Sequence, residues 1–362
     1  MTFDPMTLAL ARLAMRQAVR RHLFDPNVRM VSIGLPEKEG RIVEDELAIR
    51  FHVREKYETP FRLEAALERG ATSSDLTQPI HVGHFTIQTD VVEGKYRPHL
   101  WGWWRPPTKP ADPRAQPADP MRGGLSISDE RHNAYGTLGG KVIDRATGAE
   151  MILSNWHVLV ADWGVPDGTP LKIYQPGRLD GGTRANTVAT LTRHAMLSNL
   201  DAAVATLNGE RQLLCEQLDL PPVTGVALAD LGMEVTKSGR RTGVTRGRVT
   251  DVDATIRMTY GTVTKIIRNV MSIEPIGAFE QVSGPGDSGS LWVDRATGRA
   301  VGLHFAGSDT PERGLALDLQ SVLDALNVDL LIARPATAEL RSAAGARKPA
   351  AAEQAEEALV AG

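Results

Sequence analysis

The sequence predicts a mainly β chain, a sandwich or barrel, preceded by a small module of mixed α and β structure. Three observations carry this. Between residues 123 and 320, short β-branched runs (141–143, 151–153, 203–207, 249–252, 265–270, 291–293 and 300–304) follow one another at close spacing among glycines. The pentapeptide Asp144-Arg145-Ala146-Thr147-Gly148 recurs as Asp294-Arg295-Ala296-Thr297-Gly298, each copy joining two apolar runs as a hairpin turn does. Residues 105–122 hold six prolines and no apolar periodicity, which places a linker or extended surface strap ahead of the β-rich part.

The elements follow in order. Residues 1–27 contain a helix over 5–24, rich in good helix formers, free of glycine and made basic by Arg12, Arg16, Arg20 and Arg21. One short basic helix is a weak membrane signal, so docking on the following domain is expected. Residues 28–104 form the small α+β module: strands at 28–33, 47–53 (with Leu47, Ile49, Phe51 and Val53 alternating) and 85–92, and a short helix at 61–69 ended by Gly70. Trp101, Trp103 and Trp104 stand just before the strap and are expected to pin it to a core. Residues 123–333 are the β domain, closed by an amphipathic helix at 318–332. Residues 334–362 are rich in alanine and glutamate, interrupted by Pro335, Gly345 and Pro349, and are expected to be disordered.

Composition excludes several classes. The chain has 362 residues, enough for more than one core, and 41 Lys+Arg against 44 Asp+Glu give a net charge of −3, which offers nucleic acid no electrostatic footing. A single cysteine, Cys215, permits no internal disulfide. No apolar run is long enough for a membrane helix, and no apolar leader with a small-residue cleavage site opens the chain. A cytoplasmic globular protein is expected, without nucleic-acid or membrane partners. His81 and His84 fall on opposite faces of a strand-like stretch with no third ligand beside them, so neither a metal nor another cofactor is expected. Residues 237–243 lack the Gly-Lys-Ser/Thr spacing of a phosphate loop and read as a barrel turn.

Three segments carry chemistry: residues 153–159 present His157 after a strand, residues 198–204 present Asp201 before one, and residues 284–292 (Gly-Pro-Gly-Asp-Ser-Gly-Ser-Leu-Trp) present Ser288 in a tight turn. A serine hydroxyl is a poor nucleophile unless an imidazole takes its proton and a buried carboxylate holds that imidazole in the right tautomer. Gly286 and Gly289 flank the turn, and the amides of Gly286 and Ser288 are candidates for an oxyanion hole.

These three segments, in this order, resemble the chymotrypsin/trypsin-like serine proteases over about residues 125–320. The resemblance implies two six-stranded antiparallel barrels with a catalytic His157–Asp201–Ser288 triad in the cleft between them, a serine endopeptidase acting through an acyl-enzyme, and a protein or peptide substrate. A narrower resemblance is to bacterial trypsin-like proteins akin to the plant narrow-leaf-type proteases, which also carry a small N-terminal module. Residues 31–35, 45–51 and 89–93 resemble that module; residues 284–292 and 301–307 resemble its protease core. The module is expected to position substrates, mediate homo-oligomerisation or bind a regulatory partner.

Two departures from the family pattern matter. Many members insert a newly cut N-terminus beside the acid preceding the nucleophile, here Asp287, but residues 123–127 (Gly-Gly-Leu-Ser-Ile) are a poor analogue of that terminus. A buried Asp287 needs a partner, so an internal cation, an arginine, is expected. Second, the residue six before the nucleophile, which helps set primary specificity in the family, is Val282 rather than an acid, which argues against cleavage after Arg or Lys. His304 resembles the pocket histidine of glutamate-specific bacterial members, implying a preference for Glu or Gln. Phe305, Ala306 and Gly307 are expected to pair with substrate as an added antiparallel strand. Two alternatives stay open: a latent protease released by a partner or by proteolysis (an immune or stress effector), and a silent peptide-binding version of the fold.

Overall fold

The computed structural model describes residues 3–38, 41–56, 76–98, 112–166, 168–276 and 281–333. The N-terminal helix spans Pro5–His22; Asp4 caps it by accepting from the amides of Met6 and Thr7. Ala11, Ala14 and Ala18 make its buried face, and these small side chains let the helix lie close on the sheet beneath. In that sheet Val28–Gly34 pairs antiparallel with Ala48–Val53, which pairs parallel with Phe85–Glu93. The helix expected at 61–69, and Trp101, Trp103 and Trp104, lie outside the described residues, as does the tail from 334.

Val28–Gly34 has a second neighbour. It pairs antiparallel with Gly243–Tyr260 (Met30 opposite Ile256, Val31 opposite Thr255), so the module extends a sheet of the β domain. The described chain up to Ile332 is one compact unit. Of the strap expected at 105–122, residues 105–111 lie outside the described residues. The strand Gly243–Tyr260 runs beyond what its barrel uses, and the module pairs the edge it would otherwise expose. Buried polar groups lock the seam. The Ser32 hydroxyl donates to Asp251 at 2.7 Å, Arg50 Nη1 donates to the same carboxylate at 3.1 Å, and His52 Nδ1 lies 2.6 Å from the Tyr96 hydroxyl. Burial, only partly opposed by Asp251, pushes the His52 pKa down to about 4. Burial alone would raise the Asp251 carboxyl, but Arg50 and His52 hold it well below the usual carboxylate range.

The β domain is two closed barrels. In the first, residues Gly136–Thr137 pair with Ser126–Asp129, and the same stretch of chain continues into Gly140–Asp144, which pairs with Glu150–Ser154. Ala203–Leu207, Thr187–His194 and Lys172–Tyr174 complete the circuit back to Ser126–Asp129. In the second, the order is Glu234–Gly239, Leu291–Asp294, Arg299–Asp309, Glu312–Asp318, Val263–Pro275 and Gly243–Tyr260, which returns to Glu234–Gly239. One apolar cluster runs through both, with Leu153 and Val204 of the first and Leu291, Leu303 and Phe305 of the second.

The repeated pentapeptide turns one hairpin in each barrel. Asp144 accepts from the amides of Ala146 and Thr147, and Asp294 accepts from those of Ala296 and Thr297. Residues 237–243 are likewise part of a hairpin, closing with Gly239 opposite Gly243. The C-terminal end differs from expectation. The helix covers only Leu319–Ala325; Asn327 then takes a left-handed φ of 51°, and Val328–Leu330 becomes a strand paired to Gly140–Asp144. Past Thr137, where the ladder with Ser126–Asp129 ends, Gly140–Asp144 keeps one side unpaired by its barrel, and pairing there overrides the local helical pattern.

Candidate active site

His157 lies in a one-turn helix, Trp156–Leu159, that starts where the strand Glu150–Ser154 ends. Asp201 precedes the neighbouring strand, and Ser154 stands opposite Ala203 in the ladder. Adjacent strand ends thus bring the two side chains together. Asn155 Nδ2 donates to the Asp201 carbonyl at 2.6 Å, and the His157 amide donates to Asp201 Oδ1 at 3.1 Å. His157 Nδ1 lies 2.5 Å from Asp201 Oδ2. A carboxylate only accepts, so Nδ1 carries the proton and Nε2 is left with its lone pair. That Nε2 is buried and has no hydrogen-bond partner. Asp201 is fully buried and accepts a third hydrogen bond, from the Tyr260 hydroxyl at 2.7 Å.

Ser288 comes from the second barrel and is tied to the first: the Thr137 amide donates to its carbonyl at 2.7 Å. Gly136 allows the approach of the two halves. A Cβ there would lie 2.5 Å from Val158, next to His157, and 3.1 Å from the Ser288 carbonyl oxygen. The Ser288 hydroxyl donates to the Phe305 carbonyl at 3.2 Å. Gly286, two residues before it, has φ +108°, and a side chain there would collide with the Tyr135 ring at 2.2 Å. Thr137 Oγ1 donates to the Gly286 carbonyl at 2.9 Å and orients the turn.

Asp287 is fully buried and well satisfied. It accepts from Lys237 Nζ at 2.9 Å, the Thr242 hydroxyl at 2.6 Å, and the amides of Arg241, Thr242 and Gly284. Burial would raise its pKa; the Lys237 ammonium and the Thr242 hydroxyl outweigh that and hold it low. The expected cation is present, but it is a lysine, not an arginine. The strand Glu234–Gly239 turns position 237 into the barrel, where a compact ammonium fits beside the Trp292 ring, 5.5 Å from its centroid. Residues 123–127 stay in the first barrel, with Leu125 and Ile127 buried in its core.

The candidate specificity residues also converge. A Cβ on Gly314 would lie 3.4 Å from both Val282 and Ser283 and 3.5 Å from His304 Cε1. His304 is fully buried and accepts from Trp292 Nε1 at Nδ1, 3.3 Å away, which leaves its proton on Nε2. Phe305, Ala306 and Gly307 lie on Arg299–Asp309, and the open edge of that strand is already partly occupied: Pro98 stands opposite Ala306 and Arg97 opposite Gly307.

Sequence reasoning missed three residues. Tyr260 and Lys237 lie on strands, far in sequence from the groups they serve, and no local motif marks them. Glu312 accepts from the amides of Val282 and Ser283 at 3.0 and 3.2 Å; burial pushes its carboxyl up, against these amides. An acid two residues before a glycine, on the strand whose Gly314 faces Val282 and His304, was the one available signal.

Two closed six-stranded barrels, with His157, Asp201 and Ser288 contributed from both, define a chymotrypsin-like double-barrel fold. No family model and no curated protein matches the chain. Similar solved structures include bacterial chymotrypsin/trypsin-like serine proteases. Protease A of Thermobifida fusca is 15% identical, with a TM-score of 0.44, over 59% of this chain and 99% of its own. A Nocardiopsis protease is 19% identical, with a TM-score of 0.43, over 59% and 99%. A serine protease described as glutamic-acid-specific, with a histidine triad in substrate binding, is 19% identical, with a TM-score of 0.42, over 58% and 100%. No helix among the described residues is long and apolar enough to cross a membrane.

Proposed function

We propose that this chain is a serine endopeptidase. Ser288 is the nucleophile, His157 the general base and then acid, and Asp201 the carboxylate that orients it. The observation that carries the reading is the buried His157–Asp201 pair, whose protonated Nδ1 leaves an unpartnered Nε2, with Gly136 and Thr137 drawing the Ser288 turn to the same side of the first barrel. Rotation of the Ser288 hydroxyl from the Phe305 carbonyl towards Nε2 would complete the relay. Oγ then attacks the peptide carbonyl while its proton passes to Nε2. The tetrahedral oxyanion is met by the amides of Gly286 and Ser288, and His157 returns the proton to the leaving amine. Water repeats the sequence on the acyl-enzyme. Fluorophosphonate labelling tests the reading: modification of the native chain that is lost in both Ser288→Ala and His157→Ala supports it, and labelling independent of either residue rejects it.

For the primary pocket, the proton on His304 Nε2 suits a side-chain carbonyl or carboxylate, and Val282 offers no counter-charge for a cation. The Glu312 carboxylate nearby favours the neutral amide of Gln over Glu.

One observation favours the latent form of this activity. Arg97–Pro98 lies antiparallel on Ala306–Gly307, the edge an extended substrate would take. Arg97 is paired with Asp309, and Tyr96 is anchored on His52. Loosening this latch with Arg97→Ala and Tyr96→Phe raises kcat/KM for peptides if the segment blocks the groove; an unchanged value retires the latent reading.

A further inference from the structure

We infer that Tyr260 is a positioning residue for catalysis, holding the Asp201 carboxylate in the plane that keeps it on His157. The inference rests on the assignment of His157 and Asp201 as base and orienting acid.

Asp201 Oδ2 has two donors, His157 Nδ1 at 2.5 Å and the Tyr260 hydroxyl at 2.7 Å, while Oδ1 takes the His157 amide at 3.1 Å. The two contacts from His157 come from one residue on one short helix. Tyr260 approaches from the end of a second-barrel strand and opposes rotation of the carboxylate about its Cβ–Cγ bond. Among the described hydrogen bonds to the Asp201 side chain, it is the one from that barrel. The phenol is fixed in turn: it is 4% exposed, edge-on to Trp156 at 6.0 Å and to Trp163 at 6.2 Å, and tilted on His157 at 6.1 Å. Burial beside the Asp201 carboxylate keeps it protonated, so it remains a donor over the working pH range. As His157 accepts the Ser288 proton, the imidazolium that forms needs the carboxylate in line with Nδ1, and a phenol bound to the same oxygen preserves that line while the charge develops.

The strand geometry explains why Tyr260 is placed reproducibly. It is the last residue of Gly243–Tyr260, paired with Val263 at the tip of the long hairpin. Four and five residues earlier, the same strand is clamped by Met30 and Val31 of the module.

The test compares Tyr260→Phe with Trp163→Phe, which disturbs the packing but keeps the hydroxyl. Two readouts are taken: peptide turnover, and the low-field proton resonance of the His157 Nδ1–H···Asp201 bond, which is also recorded in a Ser288→Ala background. The expected result is that Tyr260→Phe lowers kcat about tenfold with KM unchanged and moves the low-field resonance, while Trp163→Phe leaves both near wild type. An unmoved resonance and an unchanged kcat in Tyr260→Phe overturn the inference, as does an equal change in both variants, which would assign the effect to packing. The resonance does not need turnover. If the native chain proves inactive but the signal moves only in Tyr260→Phe, the hold of Tyr260 on the Asp201 carboxylate stands, and its catalytic part falls with the protease reading.

Discussion

Lys237 Nζ lies 2.9 Å from Asp287 Oδ2, with both side chains wholly removed from solvent. The ammonium gives Asp287 its cation from within the same barrel, so the turn that carries Ser288 is held by a side chain of this chain's own. Breaking such a pair leaves an uncompensated buried charge and costs about 3–5 kcal/mol. Lys237→Met is expected to lower the melting temperature sharply and to abolish fluorophosphonate labelling. The Lys237→Met/Asp287→Asn double variant should be less destabilised than the two single losses added together. Thermal melts of the three variants measure the coupling; additive losses would mean that the pair is not the support.

Gly286→Ala attacks the same turn from its backbone. A left-handed φ strains alanine, and the new methyl meets the Tyr135 ring. The amide is displaced from the candidate oxyanion hole, and a lost donor of this kind costs about 10²-fold or more in kcat. Steady-state kinetics should show kcat falling with little change in KM. A loss confined to KM would move the oxyanion role elsewhere.

His304→Val removes the Nε2 donor from the pocket and the acceptor from Trp292. Cleavage after Gln and Glu is expected to fall selectively relative to cleavage after small apolar residues, with a stability loss of about 1–3 kcal/mol from the orphaned indole N–H. A peptide library screened with both proteins reads the ratio. A uniform loss across all peptides would remove the pocket assignment.

The seam between the module and the second barrel should be acid-sensitive. The folded pKa of His52, about 4, lies below its ordinary 6.5, so between these values the unfolded chain binds the extra proton. Stability is therefore full above about pH 6.5 and declines as pH falls towards 4, by up to about 3 kcal/mol. Asp251 and Asp287, both held low in the fold, add further losses below the ordinary carboxylate value of 3.8. Melting temperature against pH for the native chain and His52→Gln tests this: the variant should lose the slope between pH 6.5 and 4 and keep the one below. Parallel curves would exclude His52 as its source.

Much of the candidate site could be proposed from the sequence because its signals are local. His157, Asp201 and Ser288 each sit in a short segment with its own turn chemistry, and the β-branched runs name the strands. The hairpin role of the repeated pentapeptide is equally local, since Asp144 and Asp294 cap their own turns. What stayed hidden depends on strand register. Lys237 serves Asp287 and Tyr260 serves Asp201 only because hairpins distant in sequence share a wall, and a period-two pattern does not say which inward residue meets which. The same limit hid the pairing of Val31 with Thr255, which makes the module part of a barrel sheet. At 318–332 the apolar spacing suits a helix, but Val328–Leu330 finds an unfilled ladder edge, and that competition is invisible in the segment alone.

The strand Gly243–Tyr260 has the N-terminal module along one side and its barrel along the other. A chain cut back to its two barrels would bare a row of main-chain donors and acceptors from Asp251 to Ile256. Such a row recruits another strand, and the nearest supply is a second copy of the same fragment. The truncated protein would be expected to self-associate through this edge, and the smallest soluble unit would then include the helix and strands that precede the strap.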